Sequence, residues 1–293
     1  MMRTPRVWAV AVRRPDGRIT TEVQEAESVA VRRRWLRLPV LRGMVALGES
    51  LSIGFRALGL SARLSASDDD DAEEEPIGRG TIIFSFVIAI GFAVALFKVT
   101  PGVLAKLLDI EPNWLFLIVE GLIRIGIFLG YLIILSFIPD LRRVFQYHAA
   151  EHKAINALEA GEELTPEKVQ RFSLIHLRCG TAFLLWVMIV AILVFAFVGK
   201  IDSWLWLILS RILLLPLIAG LAYEVIRLAA RFGTNPIVHV ILLPGLWLQR
   251  LTTREPTDDQ VEVSIASLQA AIARDDEVRA ERSKAQPEVE VMA

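Results

Sequence analysis

Long apolar runs separated by charged segments set the pattern of this chain. Four runs carry few charges and are long enough to cross a bilayer, for which about 20 apolar residues are needed. They cover residues 80–97, 114–138, 179–199 and 204–223. The pattern predicts a mainly α-helical, polytopic membrane protein with about four transmembrane helices, paired as hairpins over 80–138 and 179–223.

The composition agrees with a membrane protein and narrows its partners. Hydrophobic residues make up 54% of the chain and charged residues 22%, and the mean hydropathy is +0.49. A net charge of −1 offers no basic excess for nucleic acid, so the lipid bilayer is the predicted partner and nucleic acid is not. Cys179 is the single cysteine, which excludes an intrachain disulfide.

The distribution of lysine and arginine predicts the orientation. The segment 139–178 between the second and third runs is rich in positive charge, with Arg142, Arg143, Lys153, Lys168, Arg171 and Arg178. The connection between the first two runs carries only Lys98 and Lys106. Positive charge marks the cytoplasmic side, so 139–178 and both termini are expected in the cytoplasm.

The first 66 residues are predicted to form a cytoplasmic unit. Two alternating β-branched runs flank the turn signal Pro15-Asp16-Gly17, which predicts a β-hairpin over 7–25. Residues 39–62 predict an amphipathic helix, and its periodicity fits either the membrane interface or the core of the soluble part equally well. The acidic run that follows predicts a solvated linker over 67–79.

The C-terminal part, 224–282, is predicted to contain two further elements. Residues 237–248 are apolar but too short to cross, which favours an interfacial or re-entrant segment. Apolar residues at helical spacing over 261–272 predict an amphipathic helix that docks on the cytoplasmic body. The last residues, 283–293, are expected to be disordered.

An H-x-x-E-H string offers the clearest candidate chemistry. His148 and His152 are four residues apart in an alanine-rich, helix-favouring segment, so both imidazoles can reach one divalent ion. Glu151 lies between them, and there it could orient a ligand or take a proton from a metal-bound water. The same string occurs in inverted zinc peptidases, although short His/Glu strings also arise by chance.

Three further residues are candidate metal ligands. His176 and Cys179 are three residues apart at the start of the third run, and Glu224 follows the fourth run at the same expected membrane depth. With the histidine pair they predict a zinc site, which needs four ligands. Each also has an ordinary structural interpretation, Cys179 as a small buried apolar residue and the histidine pair as an interfacial helix face. His239, between valines, is interpreted as a packing residue.

Charged residues inside the runs predict ion pairs. Glu120 and Arg124 are four apart, so they can neutralise each other, which favours a structural pair over a substrate path. Arg211 has no local partner, and Glu120 could reach it across the bundle.

Several long strings resemble the YqhQ-like family of bacterial membrane proteins. They are LPVLRGMVALGESLSIGFRALGLSA, YHAAEHKAINALEAGEELTPEKVQRFSLIHLRCGTAFL, LPLIAGLAYEVIRLAARF and LQRLTTREPTDDQVEVSIASLQAAI. The family is a domain of unknown function that is often labelled a predicted metal-dependent enzyme. The resemblance implies a bacterial inner membrane and metal positions at His148, His152, His176 and Cys179, accompanied by Glu151 and Glu224. The family's usual glycine-rich opening is not in this sequence, which begins at the MMR that ends it.

Two functions follow as expectations. The first is a cytoplasmic-facing metal-dependent enzyme, hydrolase-like, in which zinc activates water and Glu151 is the general base for a membrane-proximal protein or lipid substrate. The second is a non-catalytic, zinc-stapled membrane scaffold or biogenesis factor that binds a protein or ribosomal partner. A transporter that uses Glu120, Arg124 and Arg211 is less favoured, because those charges can satisfy one another. The pattern predicts no oligomeric state.

Overall fold

The computed structural model describes residues 1–29, 33–66, 79–110, 112–177, 179–198, 204–232 and 235–285. Three strands open the chain: β1 (Met2–Arg3), β2 (Val7–Arg13) and β3 (Ile19–Glu25). The helices are α1 (Leu41–Ala66), α2 (Arg79–Val94), α3 (Thr100–Leu107), α4 (Asn113–Leu135), α5 (Pro139–Glu159), α6 (Pro166–Val169), α7 (Gly180–Val198), α8 (Trp204–Arg231), α9 (Pro236–Thr252) and α10 (Asp258–Ala285). The predicted mainly helical fold with an N-terminal hairpin is confirmed.

The sheet has the order β1-β2-β3 and is antiparallel throughout. β2 and β3 pair from Val7 opposite Glu25 to Arg13 opposite Ile19. The turn between them places Gly17 at φ 85°, a backbone conformation that glycine adopts without the steric penalty of a Cβ atom. The turn predicted at Pro15-Asp16-Gly17 is thus present between the two paired strands.

The sheet lies between α1 and α10. Alternate strand residues point to opposite faces. One face packs on α1 through a buried cluster of Trp8, Val10, Val12, Ile53 and Ala57. The other face joins α5 and α10 through a cluster that includes Ala9, Ala150, Ala154, Val261, Ile265 and Leu268. The sheet, α5 and α10 thus form one body, and the predicted docking of the C-terminal helix is confirmed.

Three helical segments are long and apolar enough to cross a membrane, namely Val87–Leu107, Trp114–Leu135 and Gly180–Val198. The predicted first span, 80–97, ends too early, because the helix continues past Lys98 through a π-helical turn (Ala95–Val99) into α3. The predicted fourth span, 204–223, falls within α8, which continues to Arg231. A count of four is not confirmed, and the side chains of 204–208 and Arg211 lie outside the described part.

Charged side chains stabilise the π-helical turn. Pro101 has no N–H to donate to the carbonyl four residues earlier, which is that of Phe97. Arg124 supplies a donor instead, with Nε 2.9 Å from the Phe97 oxygen. The Arg124 guanidinium also pairs with Glu120, and Lys98 Nζ lies 3.7 Å from the same carboxylate. These contacts agree with the structural ion pair expected from the sequence.

α7 occupies a central position in the helical bundle and carries Cys179 at its N-terminal end. It packs against α4, α8 and α9. Gly121 allows α4 to approach closely, because a Cβ atom at this position would lie 2.3 Å from Ile192 Cγ1. The segment 237–248, predicted to be interfacial or re-entrant, forms part of α9. α9 ends at Thr252, which lies beside α5 and α7.

Two predicted segments fall largely beyond the described residues. The acidic linker predicted over 67–79 coincides with residues 67–78, which are not described. The predicted disordered tail, 283–293, is described only to Ala285, and α10 remains helical to that residue.

Candidate metal centre

Two histidines on one face of α5 form the base of the site. Pro139 occupies the first turn of α5, where its missing N–H needs no partner, and alanines favour the helix that follows. His148 and His152 are therefore one turn apart, with ring centroids 4.4 Å apart and planes inclined at 64°. The spacing in the sequence thus brings the two imidazoles together as expected.

Backbone carbonyls orient both rings. His148 Nδ1 lies 2.9 Å from the Thr252 oxygen, and His152 Nδ1 lies 2.6 Å from the Leu174 oxygen. A carbonyl accepts a hydrogen bond, so we assign the proton of each neutral ring to Nδ1. Nε2 of each ring is then the lone-pair nitrogen, as in most metal-binding histidines whose second nitrogen is held by an outer partner.

Cys179 completes the group from the start of α7. Its side chain is buried, and Sγ lies 3.3 Å from His148 Nε2. Sγ is also 3.0 Å from Thr181 Oγ1 and accepts the Thr181 backbone N–H at 3.4 Å. One ligand atom from each of His148, His152 and Cys179 lies within 4.8 Å of the others.

The electrostatics of the group favour a thiolate. Burial is the largest single influence on Cys179 and raises its pKa, but hydrogen bonds donated by the protonated, doubly N–H-bearing rings of His148 and His152 outweigh it and lower the pKa from 9.0 to about 5. Burial lowers the pKa of His148, whereas the hydrogen bond to Cys179 and its charge raise it by more. The sulfur is therefore biased toward the form that binds metals.

The donor set fits zinc. With Zn–N near 2.0–2.1 Å and Zn–S near 2.3 Å, the nitrogen and sulfur of a tetrahedral site are about 3.5 Å apart. The observed Sγ to Nε2 distance of 3.3 Å is close to that value. Imidazole nitrogen and thiolate sulfur are both common zinc ligands. Among the described residues, these three form the group with metal-ligand geometry.

His176 lies beside the group and outside its ligand cluster. Its ring centroid is 5.9 Å from that of His152, and its Nε2 is 3.6 Å from Glu159 Oε2. The buried Gln249 side chain holds the His176 backbone, accepting its N–H at 2.9 Å and donating to its carbonyl at 2.8 Å. The Gln249 side chain thus holds the backbone of His176 next to the site.

Glu151 and Glu224 are placed elsewhere. Glu151 Oε1 pairs with the Met1 amine at 2.5 Å, although its charge still contributes to the raised pKa of His148. Glu224 pairs with the Arg42 guanidinium and accepts the Val40 N–H at 3.2 Å. The hydrogen bond from Arg42 lowers the pKa of Glu224. The structure therefore places Glu224 with Arg42 of α1, and the group of His148, His152 and Cys179 does not include it.

Sequence reasoning missed the residues that support the ligands. Thr181 and Thr252 bring their hydroxyls to 3.3 Å from each other beside Cys179. Lys153, next to His152 in the sequence, is buried and donates to the Gln170 carbonyl at 2.6 Å. The position of Thr181, two residues after the candidate ligand Cys179, indicates that its hydroxyl can lie near the sulfur. The position of Thr252 near Cys179 depends on the long-range packing of α9 and has no such signal in the sequence.

The fold and site together define a class: a mainly helical protein with three helices long and apolar enough to cross a membrane, a small N-terminal sheet and a largely buried cluster of two histidines and one cysteine. The model of the family described as "Protein of unknown function (DUF1385)" matches residues 38–274, and the chain belongs to this family. It is 35% identical over 271 residues to "Uncharacterized protein YqhQ" of Bacillus subtilis (strain 168), which covers 89% of this chain and 85% of that protein. No solved structure matches.

Proposed function

We propose that the chain is a membrane-bound metal-dependent hydrolase that holds one Zn²⁺ on His148, His152 and Cys179. The observation that carries the proposal is the convergence of these three ligand atoms within 4.8 Å, with both rings oriented through Nδ1. Catalytic zinc sites have three protein ligands and keep one position for water, whereas structural sites almost always have four. The ligand count therefore favours catalysis.

Two threonine hydroxyls support an open coordination position. Thr181 Oγ1 contacts Cys179 Sγ at 3.0 Å and Thr252 Oγ1 at 3.3 Å. Such hydroxyls can donate to or accept from a water beside the sulfur. When bound, zinc would supply a water of lowered pKa, which is a nucleophile for an amide or ester.

Glu151 is the proposed general base. It shares α5 with both histidines, and its charge already acts on His148. To accept a proton its carboxylate must leave the Met1 amine, which it contacts at a partly exposed position. Replacing Glu151 with glutamine should keep the metal and abolish hydrolysis, whereas unchanged hydrolysis would remove this assignment.

The location of the site favours a membrane-proximal protein or lipid as substrate. α5 begins four residues after the end of the Trp114–Leu135 segment, and Cys179 immediately precedes the Gly180–Val198 segment. The ligands thus belong to a region next to the ends of two apolar helices. An acyl or peptidyl group held at the membrane surface could approach such a site.

The packing of the sheet, α5 and α10 into one body supports an even number of membrane crossings, with both termini on the same side of the membrane. The sheet, α5 and α10 share one core, yet the Gly180–Val198 segment separates α5 from α10 in the sequence. The chain must then return before Asp258, and α8, with 28 residues, is about 42 Å long. We assign the shared body to the cytoplasm, because 139–178 is rich in lysine and arginine.

A zinc-stapled scaffold is the second candidate, and burial favours it. His152 is 4% exposed and Cys179 is 5% exposed, and the three ligands join α5 to α7. His176, 8% exposed, stands close enough to become a fourth ligand after a side-chain movement. Such a closed site would rigidify the body as a platform for a protein or ribosomal partner.

X-ray absorption spectroscopy of the purified full-length protein distinguishes the hydrolase from the zinc-stapled scaffold. A site with two imidazoles, one sulfur and one non-imidazole oxygen is expected for the hydrolase, and the His176→Ala variant should give the same spectrum. Three imidazoles and one sulfur, with one imidazole lost in His176→Ala, would favour the staple. Protein that binds no zinc would exclude both.

A further inference from the structure

A second possible binding site lies outside the metal centre. An open cavity of about 810 Å³ is lined by residues of β2, the C-terminal half of α1, α5 and α10. None of His148, His152 and Cys179 is part of its wall. α5 lies between the two sites: Tyr147 lines the cavity, the histidines face Cys179, and Glu151, the proposed base, also lines the cavity in its contact with Met1.

The cavity wall has an excess of positive charge. Its charged groups are Met1, Arg13, Arg14, Arg143 and Glu151. Glu151 pairs with the Met1 amine, and Arg13 pairs with Glu262 at 2.6 Å. Among the described residues, Arg14 and Arg143 form no ion pair with an acidic side chain. Arg143 lies over the Tyr147 ring, 6.0 Å from its centroid. The described wall therefore offers two guanidinium groups that form no salt bridge.

Arg13 and Arg14 in the cavity wall each have one N–H donor without a hydrogen-bond partner. The Nε atoms of Arg13 and Arg14 are buried, and within the described part of the chain neither has a hydrogen-bond partner. A buried donor without a partner is destabilising. An anionic ligand that accepts hydrogen bonds from these atoms would remove that cost, which favours its binding. Arginine suits phosphate oxygens, because its planar fork can donate two parallel hydrogen bonds.

The same cavity continues into an exposed apolar stripe on α1. Leu51, Phe55 and Leu58 are 59%, 56% and 68% exposed, and their spacing places them along one side of the helix. Leu58 also lines the cavity. A ligand with an anionic head and apolar chains would fit the arginines and the stripe together.

The cavity lies near the expected headgroup depth. Arg143 is one helical turn after Pro139, which follows the end of the Trp114–Leu135 segment by four residues. We propose that the cavity binds the phosphate of an anionic phospholipid through Arg14 and Arg143, with its acyl chains along Leu51, Phe55 and Leu58. This site does not need the metal, and it shares Glu151 with the proposed hydrolase.

Lipid titration of the full-length protein in detergent tests the proposal. The probe is dioctanoyl phosphatidylglycerol, and native mass spectrometry measures the fraction of protein with one lipid bound. Arg14→Gln combined with Arg143→Gln should weaken binding by about tenfold or more, because charge-assisted hydrogen bonds are lost. The matched control is Arg18→Gln with Arg56→Gln, which removes the same charge from exposed positions and should change the affinity less than about twofold.

A third variant shows whether weaker lipid binding can occur without misfolding of the protein. Leu58→Ser alters an exposed side chain, so it should fold normally and still weaken the binding of phosphatidylglycerol. Equal binding by wild type and the Arg14/Arg143 double variant would overturn the proposal, as would equal losses in the double variant and the control. Displacement of the lipid by inorganic phosphate at the lipid's own concentration would identify a free-phosphate site and exclude the lipid assignment.

Discussion

Replacing Arg124 with methionine would remove two polar interactions from α4, a helix long and apolar enough to cross a membrane, while keeping a long apolar stem. It leaves the buried Glu120 without its closest cation and the Phe97 carbonyl without the donor at 2.9 Å. Breaking a buried ion pair costs about 3–5 kcal/mol, and an unsatisfied buried carbonyl about 1–3 kcal/mol. Lys98, 3.7 Å from Glu120, offsets part of this, so we expect a loss of about 3–5 kcal/mol in the free energy of unfolding.

Two companion variants separate the contributions. Adding Glu120→Gln to Arg124→Met should recover part of the loss, because no buried charge is then left unpaired. Adding Pro101→Ala should recover about 1 kcal/mol by restoring an N–H for the Phe97 carbonyl. The matched control, Lys98→Gln, alters a half-exposed side chain and should cost less than about 1 kcal/mol.

Reversible unfolding in mixed micelles with increasing sodium dodecyl sulfate, followed by tryptophan fluorescence, measures these differences. The reasoning is refuted if Arg124→Met costs no more than Lys98→Gln. It is also refuted if the Glu120→Gln/Arg124→Met variant is as unstable as the single variant, because the two charges would then not depend on each other.

Two further predictions concern helix contacts. Gly121→Ala should destabilise the protein by about 1–3 kcal/mol through overpacking against Ile192, and Ile192→Ala in that background should recover part of it in the same unfolding assay; an additive second loss would contradict this packing. Because Arg42 lowers the folded-state pKa of Glu224, its stabilisation should be complete above the usual value of 4.5 and lost as the pH falls through the lowered pKa. Glu224→Gln should therefore flatten the acid side of the stability–pH curve, and an unchanged curve would show that the pair does not stabilise the fold.

Local patterns gave the parts of the fold that depend on near neighbours. The hairpin follows from its turn residues, and the His148/His152 pair follows from the periodicity of one helix. The sequence pattern ends the first span before Lys98, whereas the apolar helical segment continues to Leu107. A lysine with a carboxylate partner can remain within a helical segment, and that partner, Glu120, comes from the next helix.

The candidate site was only partly predictable for the same reason. Cys179 was placed with the histidines by its expected membrane depth, and the structure brings it within 3.3 Å of His148. Expected membrane depth also groups Glu224 with the histidines. In the structure, however, Glu224 pairs with Arg42, which is 182 residues away in the sequence. The carbonyls of Thr252 and Leu174 carry no side-chain signal, so their role in orienting the rings depends on tertiary packing.

Measuring the zinc content of the purified full-length protein and its variants shows whether His148, His152 and Cys179 hold a metal ion. We expect one zinc ion per chain, bound less tightly by about 100-fold or more in His148→Ala, His152→Ala and Cys179→Ser, since even loss of an outer partner costs about 10–100-fold. Glu224→Gln should retain the ion, because that carboxylate is paired with Arg42. Zinc retained in Cys179→Ser, or absent from the wild type, would contradict the assignment of His148, His152 and Cys179 as a metal centre.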